Sequence, residues 1–488
     1  MNVNQFAKRA EAFREEMVRE YYQAMAGLKE QLKIAPIYER YADLFTEDTV
    51  QALLGQRQDK RGRYLAELAT MGHLEQRVKG LTEAITNFIL KATVEWDGEE
   101  IPYQVVQPRV SNEPVMERRH ELYARQRAVT AKSNDQRAER FQAMYSAAQD
   151  LGFTDYTTLC NQLEDLHLAW LTEQMQILLA RTEKVYVEHL AHYLAAIGVP
   201  EDEADVSDSL YLFRAPHFDE LFPAERMISA LRATLTGLGI DMDSQEGLEL
   251  DTEPRPLKSP RAFCAPIRVP EEVKLVIKPI GGQNDYRALF HEAGHAQHAV
   301  NTAAKLPFAF KRLGDNSVTE GYAFLFDNLI KNRHWLQEVM GTPEPECEDY
   351  VKFSRFHKLW YLRRYGAKLL YEQELHGGVE DPASRYTEML GSALKVSIAP
   401  EKYLEDVDDA YYAAQYSRAW IFEVQMRYYL EGEYGPAWFT KPAAGRFLID
   451  LWQQGQRDNV VELAQQMGYE GLDLEPLMEE FLYRNSGN

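Results

Sequence analysis

Cysteine is scarce: Cys160, Cys264 and Cys347 are the only three in 488 residues. They are widely separated and odd in number, so they supply neither a disulfide framework nor a cysteine-built zinc site, and they fit reduced thiols. Long apolar runs are missing too. No stretch of about 18 uninterrupted apolar residues occurs, so no membrane span is expected. The opening residues, Met1 to Arg9, lack a basic start followed by an apolar core. No secretory signal is therefore expected, and the cytoplasm is the expected address. Basic charge is in deficit, with 54 Lys and Arg against 76 Asp and Glu, a net charge of −22. Such a surface repels phosphate backbones, which argues against nucleic acid as a partner. Peptides held in a local cleft stay compatible with it. Internal repeats and low-complexity segments are absent as well.

What is present reads as helix. From Asn4 to about Lys91 the chain is rich in Ala, Glu, Leu, Arg and Gln at helical spacing, which predicts three or four antiparallel helices. The run Thr93 to Tyr103 places β-prone residues on both sides of Asp97-Gly98, the signature of a short hairpin. Helices are expected again over 113–149 and, as a pair, over 154–197. The acidic run Glu201 to Asp205, with Ser207-Asp208-Ser209, is expected to form a solvated loop. Pro223 to Leu238 reads as a helix closed by Gly239, and 240–260 as a surface connection. Ala262 to Ile267 and Val273 to Ile277 are the best strand candidates. Gly281-Gly282 turns the chain into a helix that Asn284 is expected to cap. From Ser317 onward the pattern is helical.

That helix contains Leu289-Phe290-His291-Glu292-Ala293-Gly294-His295, an H-E-x-x-H motif. Histidines four residues apart share a helix face, so both imidazoles can converge on one ion. The glutamate between them sits where it can take a proton from a metal-bound water. A catalytic zinc needs a third protein ligand and an open fourth position. An H-E-x-x-H-x-x-G-x-x-H site needs glycine at 298 and histidine at 301; the sequence has His298 and Asn301, which excludes it. His298 is assigned a structural or surface role. The next candidate is Glu320, at the start of a helical run with Asp327 available to support a ligand. Ser317-x-x-Glu320 also spells a capping box, and the two readings compete for the same carboxylate.

The run Arg287 to His298 resembles the zinc helix of the thimet oligopeptidase and oligoendopeptidase F family, and the spacing to Glu320 matches that family. Leu306 to Glu320 and Ala444 to Leu477 are similar to the angiotensin-converting enzyme family. The resemblance implies a glutamate-ligated zinc metallopeptidase with a mostly α, two-lobed helical fold, a deep substrate channel and a small β-sheet beside the motif helix. Residues 1–488 would form one peptidase unit of two interleaved lobes. Within it, 1–92 would be a helical lid region, 260–330 the zinc-site core, and 400–488 the helices completing the cleft.

By that resemblance one Zn2+ is bound by His291, His295 and Glu320, and Glu292 is the general base. An edge strand around Ala265 would pair with the substrate backbone. Both families place oxyanion donors in a tyrosine-rich helix, matched here by Asp409 to Trp420. Tyr412 matches the first tyrosine of the oligopeptidase pattern, and Tyr416-Ser417-Arg418 resembles the Tyr-x-Arg of the converting enzymes. Ala419 stands where both place a further tyrosine, and no histidine follows His376. Tyr412 or Tyr416 would then donate, with aromatic packing as the competing role. Arg418 is read as an anion site or as a buried ion-pair partner. The expected function is hydrolysis of short peptides. A carboxypeptidase or dipeptidyl carboxypeptidase is the rival enzyme, and a zinc-holding peptide-binding protein of weak or lost activity is the reading from another class.

Overall fold

The computed structural model describes residues 2–259 and 261–482; Met1, Pro260 and the final stretch 483–488 of the expected C-terminal segment lie outside the described residues. Helix makes up 70% of it, with five short strands. These are β1 (Thr93–Trp96), β2 (Glu99–Pro102), β3 (Leu248–Asp251), β4 (Phe263–Arg268) and β5 (Glu272–Val276). Two compact units account for the chain, and neither is one continuous stretch. The first comprises Met1–Thr70, Pro216–Ser354 and Arg418–Leu477; the second comprises Met71–Ala215, Arg355–Ser417 and Met478–Asn488.

In the first unit the opening helix, Val3–Met25, starts with a capping box between Asn2 and Gln5 and buries Phe6, Ala10, Phe13 and Met17. That three-and-four spacing is an apolar stripe on one face, the reason this segment docks as a helix. The sheet of this unit has the order β3-β5-β4, with β3 parallel and β4 antiparallel to β5. β4 is therefore an edge. Residues 240–260, expected as a plain connection, contribute β3. Its short run Leu248–Asp251 forms a strand because β5, far along the chain, supplies the ladder partners.

In the second unit β1 and β2 form the expected hairpin. Asp97 and Gly98 take φ of 51° and 78°, the paired left-handed geometry of a two-residue turn matched to strand twist. Val94, Trp96 and Ile101 join Val106, Val110 and Leu122 in one apolar cluster. The acidic stretch expected to be a solvated loop ends instead in a capped helix, Val206–Arg214. Asp208 is fully buried there, bonded to Arg119 at 2.6 Å and to His120 at 2.7 Å. Its partners lie 89 and 88 residues away, a pairing that local charge pattern does not report. Among the described residues no helix is long and apolar enough to cross a membrane.

Candidate metal centre

The motif helix runs Gln283–Asn301, and Gly281 and Gly282 precede it with φ of 95° and 84°. Both are left-handed values that favour glycine. Gly282, not Asn284, is the N-cap, and no side chain caps it. Asp285, one turn in, accepts the Ile280 and Gly281 N–H groups at 2.7 and 3.0 Å and so anchors the turn from inside.

Glu320 lies on the helix Asn316–Leu329, whose cap is Asp315: its Oδ1 accepts the Ser317 N–H at 2.9 Å. The Ser317–Glu320 capping box is thus replaced by a cap two residues earlier, which leaves the Glu320 carboxylate to the motif helix. The two helices touch backbone to backbone at Gly294. A Cβ there would stand 2.6 Å from both Ala323 Cα and Tyr322 O, so only glycine permits the approach.

The approach brings three donors together. Glu320 Oε2 lies 3.3 Å from His291 Nε2 and 3.7 Å from His295 Nε2, and all three ligand atoms fall within 4.8 Å of one another. Donors about 2.1 Å from a tetrahedral ion stand roughly 3.4 Å apart, so the spacing suits one small cation. Two imidazoles and a carboxylate are also the donor types zinc accepts. Each histidine is held from behind: His291 Nδ1 is 3.6 Å from Asp327 Oδ2, and His295 Nδ1 is 2.8 Å from Thr319 Oγ1. Partners of this kind fix the ring so that Nε2 faces the site. Thr319 was not singled out in the sequence; its position directly before Glu320 was the available signal.

Charge at the site is unevenly held. Burial disfavours the His291 imidazolium, but Asp327 and Glu320 outweigh that and push its pKa up to about 10. Burial takes His295 down to about 4, with Glu320 opposing and His291 adding. One positive charge is therefore stabilised among these carboxylates, in the place a cation takes when it displaces the proton. Burial also raises Glu292 to about 7, against the opposing pull of His291 and the Cys264 N–H. That N–H donates to Glu292 Oε2 at 2.8 Å, so the carboxylate is tied to edge strand β4.

Ala265, next along β4, pairs with Lys274 and has a buried side chain. Pro266 C=O is taken by the Arg312 guanidinium. His298 is buried against Tyr322, with a ring-centroid distance of 5.0 Å, and its burial lowers the pKa to about 4; it stands outside the donor cluster. Arg418 is fully buried and pairs with Asp315 at 3.0 Å. That leaves it no face for a substrate anion, so the ion-pair reading replaces the anion-site reading. Tyr412 and Tyr416 belong to the second unit. Both are half-buried on the first turns of the helix Tyr412–Tyr434, their rings 4.9 Å apart and edge to face.

A second cluster, His120, Asp205 and Asp208, also gathers three donors. There the Arg119 guanidinium already neutralises Asp208, and Asp205 caps its helix, so the set reads as structural.

Neither a protein-family profile nor a curated protein matches the sequence. Solved structures do. PZ peptidase A in complex with an inhibitor aligns at a TM-score of 0.61 and 15% identity, covering 95% of this chain and 84% of its own. A protein described as oligoendopeptidase F from Bacillus anthracis str. Ames aligns at 0.60 and 14% identity, covering 98% of this chain and 83% of its own. The chain therefore has the mostly helical, small-sheet fold of these oligopeptidases.

Proposed function

We propose that the chain is a zinc-dependent peptidase that hydrolyses short peptides. The observation that supports it most is the convergence of His291, His295 and Glu320 with a half-buried Glu292 beside them. His291, His295 and Glu320 would hold the zinc, which supplies Lewis acidity to the scissile carbonyl and to a water. Glu292 is placed to take a proton from the attacking water and return it to the leaving amine, the role of a general base and then acid. The Cys264 N–H aims the carboxylate, and Asp327 and Thr319 hold the imidazoles. Pairing of an extended peptide with edge strand β4 around Ala265 would have to displace partners already there, because the Cys264 N–H is held by Glu292 and the Pro266 C=O by Arg312.

The sequence observation that favours a second reading, a peptide-binding protein of weak activity, is Ala419 together with the lack of histidine beyond His376. One experiment addresses both readings: metal analysis and mass-spectrometric product mapping on a peptide mixture, beside the Glu292→Gln protein. The expected result is about one zinc per chain in both proteins. Cleavage at internal bonds is expected to fall roughly a hundred- to ten-thousandfold in Glu292→Gln, the usual range for a lost general base. Equal cleavage by both proteins would sink the mechanism. Trimming from the C-terminus alone would move the assignment to a carboxypeptidase, and background turnover with zinc bound would move it to the binding protein.

A further inference from the structure

The second unit contains a cavity of about 430 Å³. It lies between the C-terminal part of the helix Lys60–Lys91, the helix Asn134–Asp150 and the segment from Leu404 to Asp409. Ile85, Ile89, Phe141, Leu404 and Val407 give it an apolar wall. The carboxylates around it are already engaged. Asp409 takes both terminal nitrogens of Arg140, at 2.9 and 2.5 Å, and Arg140 Nε donates to Thr82 Oγ1 at 2.9 Å. Asp408 takes the Lys368 ammonium at 2.7 Å, and Glu405 takes Lys402 at 3.1 Å and the Tyr103 hydroxyl at 3.0 Å.

Arg137 is the exception. It lines the cavity, its Nε donates to Ser133 Oγ at 3.1 Å, and among the described residues no carboxylate forms an ion pair with it. Burial lowers its pKa from the ordinary arginine value, with Glu405 opposing from beyond ion-pair distance. Arg137 is half-buried, so its charge stays partly hydrated without a counter-charge from the fold, which leaves the guanidinium available to a ligand.

We propose that this cavity binds a small carboxylate on an apolar body, with the carboxylate received by the terminal nitrogens of Arg137. A guanidinium presents parallel donors that match a carboxylate, and the wall takes the hydrocarbon. The volume lies within the range of about 300–1,000 Å³ usual for small-ligand sites. A phosphate suits it less, because it would leave the apolar wall of Ile85, Ile89, Phe141, Leu404 and Val407 unfilled. Two sources share the favoured chemistry: the C-terminal end of a peptide and a free aliphatic acid. None of the cavity residues belongs to the metal centre, so the proposal stands apart from the peptidase reading.

The test is calorimetric titration with N-acetyl-L-phenylalanine, its carboxamide, and octanoate. The proteins are the unmodified chain, Arg137→Gln, Arg137→Lys and Thr86→Trp, each checked for native circular dichroism and melting. Thr86 is an exposed helix position lining the cavity, so the indole fills it while Arg137 stays in place. At least one carboxylate is expected to bind, weakened roughly ten- to a hundredfold by Arg137→Gln, as for a lost charge-assisted hydrogen bond. Arg137→Lys should keep part of the affinity, Thr86→Trp should remove it, and the carboxamide should bind at least about tenfold more weakly. Binding of the acetyl amino acid alone assigns a peptide end, and binding of octanoate alone assigns an aliphatic acid. Binding indifferent to Arg137→Gln and Thr86→Trp, or no binding of either carboxylate up to about 10 mM, overturns the proposal. Should Arg137→Gln fail to fold, the Thr86→Trp and carboxamide comparisons decide it.

Discussion

The two histidines of the motif are equivalent by spacing and unequal by environment. His291 has a carboxylate behind it at 3.6 Å and His295 a hydroxyl at 2.8 Å, so one ring is held by charge and the other by a hydrogen bond. Thr319→Val keeps the shape of the side chain and removes the bond to His295. The metal affinity is expected to fall about ten- to a hundredfold, the usual cost of losing such a partner, with little change in melting of the metal-free protein. Competition with a chelating indicator dye measures it, and unchanged affinity would mean the hydroxyl does not orient the ring. Glu320 shows what local sequence could and could not say. Its spacing from His295 was readable, but so was the Ser317–Glu320 capping box. The decision came from Asp315, whose capping role depends on the loop geometry before the helix.

Between elements, the crossing at Gly294 sets how deep the ligands sit. Gly294→Ala places a Cβ against the backbone of the facing helix, and overpacking of this kind costs typically about 1–3 kcal/mol. Denaturant unfolding should show that loss, and metal affinity should drop with it because Glu320 recedes from the histidines. A variant that bound metal unchanged would mean the helices can shift without moving the donors. Asp315 is the second control point. It caps the Glu320 helix, pairs with buried Arg418 and accepts the Val460 N–H at 3.3 Å. Asp315→Ala strips the buried cation of its partner, and the expected cost is about 3–5 kcal/mol. Replacing Arg418 by Met in the same protein should recover part of it, which the same unfolding curves would show. The elements legible beforehand were those whose signal is local: the H-E-x-x-H helix, the Asp97-Gly98 hairpin, and the apolar runs that became β4 and β5. β3 and the burial of Asp208 escaped, because each exists through a partner remote in sequence: β5 for the strand, Arg119 and His120 for the carboxylate.

Across the whole molecule, stability should depend on pH through a carboxyl far from the metal donors in sequence. Glu372 is fully buried, and burial raises its pKa to about 8. Lys368, 4.0 Å away, and the Asp408 N–H, 2.9 Å away, pull it down, while Asp408 and Asp406 push it up. The unfolded chain releases this proton near 4.5, whereas the native chain keeps it to about 8. Between those values the native state binds more protons, so stability falls as pH rises through the window and levels off above it. Glu372→Gln should flatten that slope in melting temperatures taken from pH 5 to 8.5, and an unchanged slope would assign it to other groups.

The bond from Asp315 to Arg418 also has a meaning in time. A chain emerging from the ribosome displays both histidines and Glu320 before Arg418 has been added. At that moment the cap of the Glu320 helix still lacks its cation, and Phe422 and Trp452, against which Gly321 and Tyr322 pack, do not yet exist. The donor triad is thus assembled by residues translated about a hundred or more positions after its last member. A chain ending before Arg418 has all three ligands, the Asp315 cap and the Gly294 crossing, but lacks the cation and the aromatic packing behind the Glu320 helix, so its metal affinity should fall below that of the longer chain.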